Sequence, residues 1–215
     1  MVNRQKLIWW SILVGVPIVI QYASRASGGE PDRDVLYRYS TAAGAAVIYA
    51  VMLLLVLVIA GFDRDLLALR RPRSWGRAAA LSAVLFVGLF IAITLLDHLL
   101  HGGKEQGLTP NGWQPDHAGA YAANFVVIAI VAPIVEELTF RGLGYSLLEP
   151  FGRWFAIVAI GVIFSAQHGL VQGFLELMLF GSALAWLRSQ TRSVYPGMVL
   201  HSLFNGIALV VAVVA

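Results

Sequence analysis

Apolar residues fill long blocks of this chain, and short polar stretches separate the blocks. Seven blocks approach the length of about 20 residues that an α-helix needs to cross a hydrocarbon core. They lie at residues 7–23, 40–61, 78–97, 119–147, 154–169, 171–188 and 195–215. The pattern therefore predicts an all-α fold, a polytopic transmembrane helical bundle of about seven spans.

The composition agrees with a membrane protein. Of the 215 residues, 59% are hydrophobic and 13% are charged, and the mean hydropathy is +0.76. A soluble domain would carry about 25% charged residues. The chain has no cysteine, which excludes disulfide and thiolate chemistry. We expect one transmembrane domain over residues 1–215, surrounded by the lipid bilayer and without a nucleic-acid partner. The sequence leaves the oligomeric state open.

The first apolar block follows Arg4 and Lys6, and it fits either a first span or a signal peptide cleaved near the sequence YASRAS. We favour an uncleaved span because its apolar run of 17 residues is long for a signal core. Trp9 and Trp10 also suit a membrane interface.

Basic residues are concentrated on one predicted side of the bundle. The N-terminal segment carries Arg4 and Lys6, and the loop at residues 62–77 carries five arginines. Cytoplasmic loops of membrane proteins have an excess of Lys and Arg. We therefore expect a cytoplasmic N-terminus and, after seven spans, a C-terminus outside. We also expect a multi-pass protein of a cell membrane, of prokaryotic origin.

Three ionisable residues interrupt the fourth block: Glu136, Glu137 and Arg141. A charge at membrane depth costs about 2.5–3.5 kcal/mol on insertion scales, so such residues normally face a bundle interior and have a function. Glu137 and Arg141 are four residues apart and can pair on one helix face. Glu136 is rotated by about 100° from Glu137 and lacks this partner. We therefore predict that Glu137 and Arg141 are structural and that Glu136 is reactive.

Polar side chains also interrupt two later blocks. His168 ends the fifth block, and His201 and Asn205 share one helix face near the start of the seventh. Histidine within a span is a candidate for proton transfer or metal ligation. At about 1.5 Å per residue, these groups can meet Glu136 at mid-membrane if the short fifth span ends below the outer surface.

Other polar residues are less informative. Glu176 is a further acid within a predicted span, and the sequence fits a cavity-lining role and a structural role equally well. His98 and His101 lie at the end of the third span, where an interfacial role is favoured over a metal site.

Together, the runs EELTFR at 136–141, FSAQH at 164–168 and HSLFN at 201–205 resemble the ordered motifs of the CPBP family of intramembrane proteases. This family includes type II CAAX prenyl endopeptidases and bacteriocin-processing or self-immunity (Abi) proteins. The resemblance covers about residues 119–215, the motif-bearing core, whereas the first three spans are generic. It implies that Glu136 and His168 activate a water and that His201 and Asn205 form an oxyanion hole. It also implies a membrane-associated substrate, such as a prenylated or leader-type peptide.

The need for a metal is left open. Zinc catalysis usually shows three protein ligands and an open position, and Glu136, His168 and His201 would supply that number. The zinc motif H-E-x-x-H is not present in the sequence. We expect no required cofactor, with zinc as the alternative.

Two other functions compete with proteolysis. A proton-coupled transporter would use the same Glu and His relay, but transporters usually show paired repeats with broken helices, and the sequence has no repeat. A non-catalytic immunity or scaffold protein would bind a partner in the bilayer. The intact motif set favours the enzyme.

Overall fold

A computed structural model describes residues 3–28, 34–105, 110 and 112–214, without the side chains of residues 103 and 104. Helices dominate the described residues, and no strand occurs among them. Seven long helices and one short one are named here in chain order: α1 Arg4–Ala26, α2 Tyr39–Ala60, α3 Trp75–Leu100, α4 Gly102–Glu105, α5 Pro115–Phe151, α6 Arg153–Gln167, α7 Phe174–Thr191 and α8 Tyr195–Val214.

The predicted all-α bundle is confirmed. Each of the seven predicted spans corresponds to one long helix, with ends that differ by a few residues. In the described part of the chain, five helices are long and apolar enough to cross a membrane: α1, α2, α3, α5 and α8. Helix α6 is apolar but shorter, and α7 carries the buried charges of Glu176 and Arg188.

Local chemistry explains where several helices start and stop. The side chains of Asn3 and Ser74 accept hydrogen bonds from Lys6 N and Arg77 N, which caps the starts of α1 and α3. Helix α2 ends at Gly61, whose φ of 69° is left-handed and suits glycine. These signals mark the starts of α1 and α3 and the end of α2.

Helix α5 lies in the interior of the bundle, and α1 is attached to it. The indole Nε1 of Trp10 donates to the carbonyl of Thr139 at 2.9 Å, and Trp10 is buried. A Cβ at Gly144 would collide with the ring of Trp10, so the glycine makes this close approach possible. The first apolar block is thus an integral helix of the bundle.

Helices α6 and α7 form a tight hairpin that places the end of α6. At their crossing, a Cβ on Gly161 would lie 2.8 Å from the carbonyl oxygen of Met178, and one on Gly181 would lie 3.0 Å from the Cα of Gly161. Small residues allow membrane helices to approach closely without a hydrophobic driving force. The hairpin therefore fixes the position of His168, which directly follows α6.

Candidate active site

Two π-helical segments interrupt α5 around the motif. They are Val127–Val131 and Glu137–Gly144, with a short α-helical stretch, Ala132–Glu136, between them. The regular α-helix assumed in the sequence analysis is therefore wrong at this point. Segments of π-helix are rare and occur frequently at functional sites.

Particular side chains explain why the backbone departs from α-geometry. Pro133 has no N–H and cannot donate to a carbonyl one turn earlier. The hydroxyl of Thr139 donates to the carbonyl of Val135 at 2.7 Å and competes with the backbone for it. Within a bilayer, backbone groups must be satisfied by protein. Trp10 bonds the Thr139 carbonyl, and the amide of Asn205 donates to the Ile128 carbonyl at 3.0 Å.

The ion pair predicted between Glu137 and Arg141 is present. Arg141 Nη1 donates to Glu137 Oε1 at 2.9 Å, and both side chains are fully buried. Arg141 also donates to the carbonyl of Gly181 at 3.0 Å, and its guanidinium lies 4.4 Å from the ring centroid of Phe164. A buried charge with this set of partners joins α5 to α6 and α7.

His201 lies between the two glutamates. Its Nδ1 is 3.2 Å from Glu137 Oε1, and its Nε2 is 3.7 Å from Glu136 Oε2. An ionised Glu137 paired with Arg141 can only accept, so Nδ1 of His201 carries a proton and donates it. Gly197, one turn earlier on α8, leaves room for Glu137, because a Cβ there would lie 3.3 Å from the carboxylate carbon. Nε2 is thereby directed towards Glu136.

Tyr49 of α2 is a site residue that the sequence analysis missed. Its hydroxyl donates to Glu136 Oε1 at 2.7 Å. The available signal was a tyrosine in the middle of an apolar span, because a buried hydroxyl usually finds a hydrogen-bond partner. The description of the first three spans as generic is incomplete in this respect.

His168 caps the C-terminal end of α6. Its Nδ1 lies 2.8 Å from the carbonyl oxygen of Phe164, and its ring packs 4.7 Å from that of Phe164. A carbonyl can only accept, so Nδ1 carries a proton; in the neutral imidazole, Nε2 then holds the lone pair that a general base uses.

Glu136 and His168 line one cavity of about 540 Å³. Tyr49, Gln21 and Gln167 add polar groups to it, and the remaining lining is apolar. The apolar lining comes from α1, α2 and α5: Ile12, Leu13, Val16, Pro17, Ile48, Val51, Met52, Leu55 and Phe140. Several of the lining side chains on α1 and α2 are exposed, so the cavity is not closed off at these two helices.

The structure does not bring all four predicted catalytic residues into this cavity. Glu136 and His168 line it, whereas His201 contacts Glu136 but does not line the cavity. Asn205 is half-buried one turn beyond His201 and is not among the lining residues. The roles assigned to these residues remain predictions.

The residues do not form a metal site in this arrangement. The described residues contain no group of three or more His, Asp or Glu side chains placed to hold a metal ion. Of the proposed zinc ligands, His201 directs its two nitrogens towards two different glutamates.

Glu176 lies apart from the cavity. It is buried at the start of α7, and a Cβ on Gly102 of α4 would collide with its Oε1. The cavity-lining role considered for Glu176 is therefore not supported, since it is not among the lining residues.

Two comparisons with known proteins found matches to this chain. Residues 118–207 match the family model described as Type II CAAX prenyl endopeptidase Rce1-like. The chain is also similar to a Bacillus subtilis (strain 168) protein named "Putative membrane peptidase YdiL". The two are 24% identical over 205 residues, which are 93% of this chain and 82% of that protein. No solved structure matches the chain.

The apolar helices and the family match define a multi-pass membrane protein of a membrane-protease class. Residues 118–207, which carry all three motifs, are similar to the Rce1-like family. The resemblance found in the sequence is confirmed.

Proposed function

We propose that the protein is an intramembrane endopeptidase that hydrolyses a peptide bond of a membrane-associated substrate with a water activated by Glu136 and His168. The observation that carries the proposal is the cavity that these two side chains line together. Peptide hydrolysis needs a positioned group that takes a proton from water, and carboxylate and neutral imidazole are the usual ones.

Both acceptors are held in place by fixed hydrogen bonds. The hydroxyl of Tyr49 orients Glu136, and the carbonyl of Phe164 orients the ring of His168. Pre-positioned groups lower the entropic cost of reaching the transition state. The water therefore meets acceptors that need no rearrangement.

The proposed reaction proceeds in two steps. The oxygen of the water bonds to the carbonyl carbon of the substrate while one proton passes to Glu136 or His168. The C–N bond then breaks, and the same proton passes to the leaving nitrogen. The second hydrogen of the water remains on the new carboxylic acid, so atoms and charge balance.

The oxyanion formed in the first step needs donors, and the resemblance assigns this role to His201 and Asn205. Asn205 uses one amide hydrogen on the Ile128 carbonyl and retains a second for the substrate. A proton on Nε2 of His201 would make that nitrogen a donor, and Glu136 at 3.7 Å is a suitable counter-ion.

The walls of the cavity suggest the class of substrate. Apolar side chains of α1 and α2 form most of the lining, and several of them are exposed. A peptide that carries a lipid or an apolar segment can enter from the bilayer and bury that group against these walls. A prenylated C-terminal peptide and a hydrophobic leader peptide both meet this description.

The test uses purified full-length protein in vesicles, with a panel of prenylated and leader-type peptides and mass-spectrometric detection of new termini. Glu136→Gln and His168→Ala should abolish cleavage while the melting temperature stays near that of the wild type. Glu176→Gln is the matched control, since it changes a buried acid that lies outside the cavity, and it should retain activity.

Cleavage by Glu136→Gln at the wild-type rate would overturn the proposal. Equal loss of activity in Glu136→Gln and Glu176→Gln would also count against it, because the effect would then not depend on the cavity.

A further inference from the structure

A second concave site lies at the end of the bundle where α3 and α8 begin. Its volume is about 560 Å³, and we call it the arginine pocket. It is lined by Arg64, Leu69, Arg70, Arg71, Trp75 and Tyr195. The α2–α3 loop supplies the arginines, and it is tied to the start of α8 by a hydrogen bond of 3.2 Å from Val194 N to the carbonyl of Ala68.

The arginines of the pocket have little counter-charge from the protein. Arg70 is oriented by donating to the carbonyl of Arg192 at 2.8 Å, and it meets the exposed Asp65 at 3.4 Å. No ion pair of Arg64 or Arg71 occurs within the described chain. The loop's other acid, Asp63, accepts hydrogen bonds from two backbone amides of its own turn. The pocket therefore has a net positive charge available to a ligand.

Two helix N-termini add to this potential. Trp75 is the first residue of α3, which has 26 residues, and Tyr195 is the first residue of α8, which has 20. The N-terminal end of a helix carries a partial positive charge, which favours a nearby anion. Three arginines and two helix ends thus converge on one concavity.

The position of Trp75 indicates that the pocket lies at the membrane interface. Trp75 is 55% exposed at the end of an apolar span, the position of interfacial aromatic belts. The side with the arginine-rich loop is also the one predicted to be cytoplasmic, where anionic lipids attract basic segments. A lipid phosphate bound in this pocket would leave its acyl chains beside the apolar helices.

We propose that the arginine pocket binds the head group of an anionic phospholipid. The proposal is independent of the proteolytic reaction, because none of the pocket residues lines the cavity that contains Glu136 and His168. It assigns a ligand to a surface that the family match and the motifs leave without a role.

The test measures lipid retention on purified full-length protein by native mass spectrometry. The probes are vesicles of phosphatidylcholine with or without phosphatidylglycerol. The double variant Arg64→Gln/Arg71→Gln should retain phosphatidylglycerol about tenfold less than the wild type, since each basic side chain contributes to anionic-lipid affinity near the surface.

The control is Arg73→Gln/Arg77→Gln. It removes the same charge from the same region, at exposed arginines outside the pocket lining, and it should retain the lipid nearly as well as the wild type. Arg64→Lys/Arg71→Lys keeps the charge and should retain an intermediate amount. All of these positions are exposed, and melting temperatures will show that the variants fold.

Three results would overturn the proposal. Equal loss in the two glutamine double variants would mean that general surface charge attracts the lipid. No loss in either would mean that the pocket binds none. Full displacement of phosphatidylglycerol by millimolar inorganic phosphate would assign the site to free phosphate.

Discussion

The generic half of the bundle, α1 to α3, and the motif-bearing half, α5 to α8, differ in the residues that they bury. In the apolar window of α5, 44% of residues are buried, against 11%, 17% and 6% in α1, α2 and α3. Helix α5 is therefore an interior helix, whereas most of the surface of the first three faces outward. The ionisable residues of the first motif, Glu136, Glu137 and Arg141, are all on this interior helix.

Charges are tolerated in the interior because protein groups replace water there. Arg141, Glu137, His201 and Glu136 form a continuous chain of contacts that ends at Tyr49. Helices α1 and α2 contain few such groups, but they supply the walls of the cavity and the tyrosine. The motif-bearing half therefore holds the ionisable groups of the proposed chemistry, and the generic half supplies most of the walls of the cavity.

The strongest test of this comparison removes one partner from the buried ion pair. Glu137→Ala should lower the free energy of unfolding by about 3–5 kcal/mol, because Arg141 is left as an unpaired charge in the interior. Glu136→Ala should cost less, since Glu136 has no arginine partner. Thermal unfolding in one detergent compares the two variants, and equal melting temperatures would contradict the division between a structural and a reactive glutamate.

Asn205 tests whether a residue at the edge of the interior serves catalysis or backbone structure. If its second amide hydrogen stabilises the oxyanion, Asn205→Ala should lower turnover by roughly 100- to 1,000-fold while substrate affinity is retained. Loss of the hydrogen bond to the Ile128 carbonyl should separately cost about 1 kcal/mol of stability. Enzyme kinetics and unfolding measurements distinguish the two effects. A stability loss with full turnover would remove Asn205 from the catalytic group.

A substitution of Tyr49 tests whether a residue of the generic half contributes to catalysis. Tyr49→Phe should lower turnover by about tenfold, because a hydrogen bond to a charged group contributes about 1.5–3 kcal/mol. It should also alter the pH profile of the rate, because the removed bond is to Glu136. Tyr121→Phe is the matched control, since Tyr121 is buried and its hydroxyl donates to the Leu209 carbonyl away from the cavity. Identical pH profiles for Tyr49→Phe and the wild type would show that Tyr49 does not position Glu136.

Much of the fold could be predicted from the sequence because the bilayer imposes a simple rule. A span must be apolar and of sufficient length, so the seven blocks gave the seven long helices. The pair of Glu137 and Arg141 followed from their spacing alone, because both partners are on the same turn of one helix.

The remaining features depend on contacts between distant segments. The π segments rest partly on Trp10 and Asn205, which bond carbonyls 129 and 77 residues away along the chain. The partnership of Tyr49 with Glu136 spans 87 residues. No local pattern reports such contacts, so neither the shape of α5 nor the full lining of the cavity was accessible from one sequence.

The smallest expected effect concerns Glu105 of α4, which ties the generic half to the loop that follows His168. Its carboxylate accepts hydrogen bonds from Val171 N and Gly173 N, each at 3.0 Å, and forms an ion pair with Arg25 of α1. Burial raises the pKa of Glu105, but the amides of Gly173 and Val171 and the charge of Arg25 outweigh this effect, so the pKa lies below its usual value.

A lowered pKa stabilises the fold above the ordinary Glu pKa of about 4.3, and this contribution is lost as the pH falls through the lowered value. Glu105→Gln should therefore be less stable than the wild type by about 1 kcal/mol near neutral pH, a modest figure because Arg25 is partly exposed. The difference should shrink towards zero as the pH falls well below the ordinary Glu pKa of about 4.3. Melting temperatures of the two proteins across this pH range measure it, and a difference that stays constant at low pH would show that the Glu105 carboxylate does not clamp the loop through its charge.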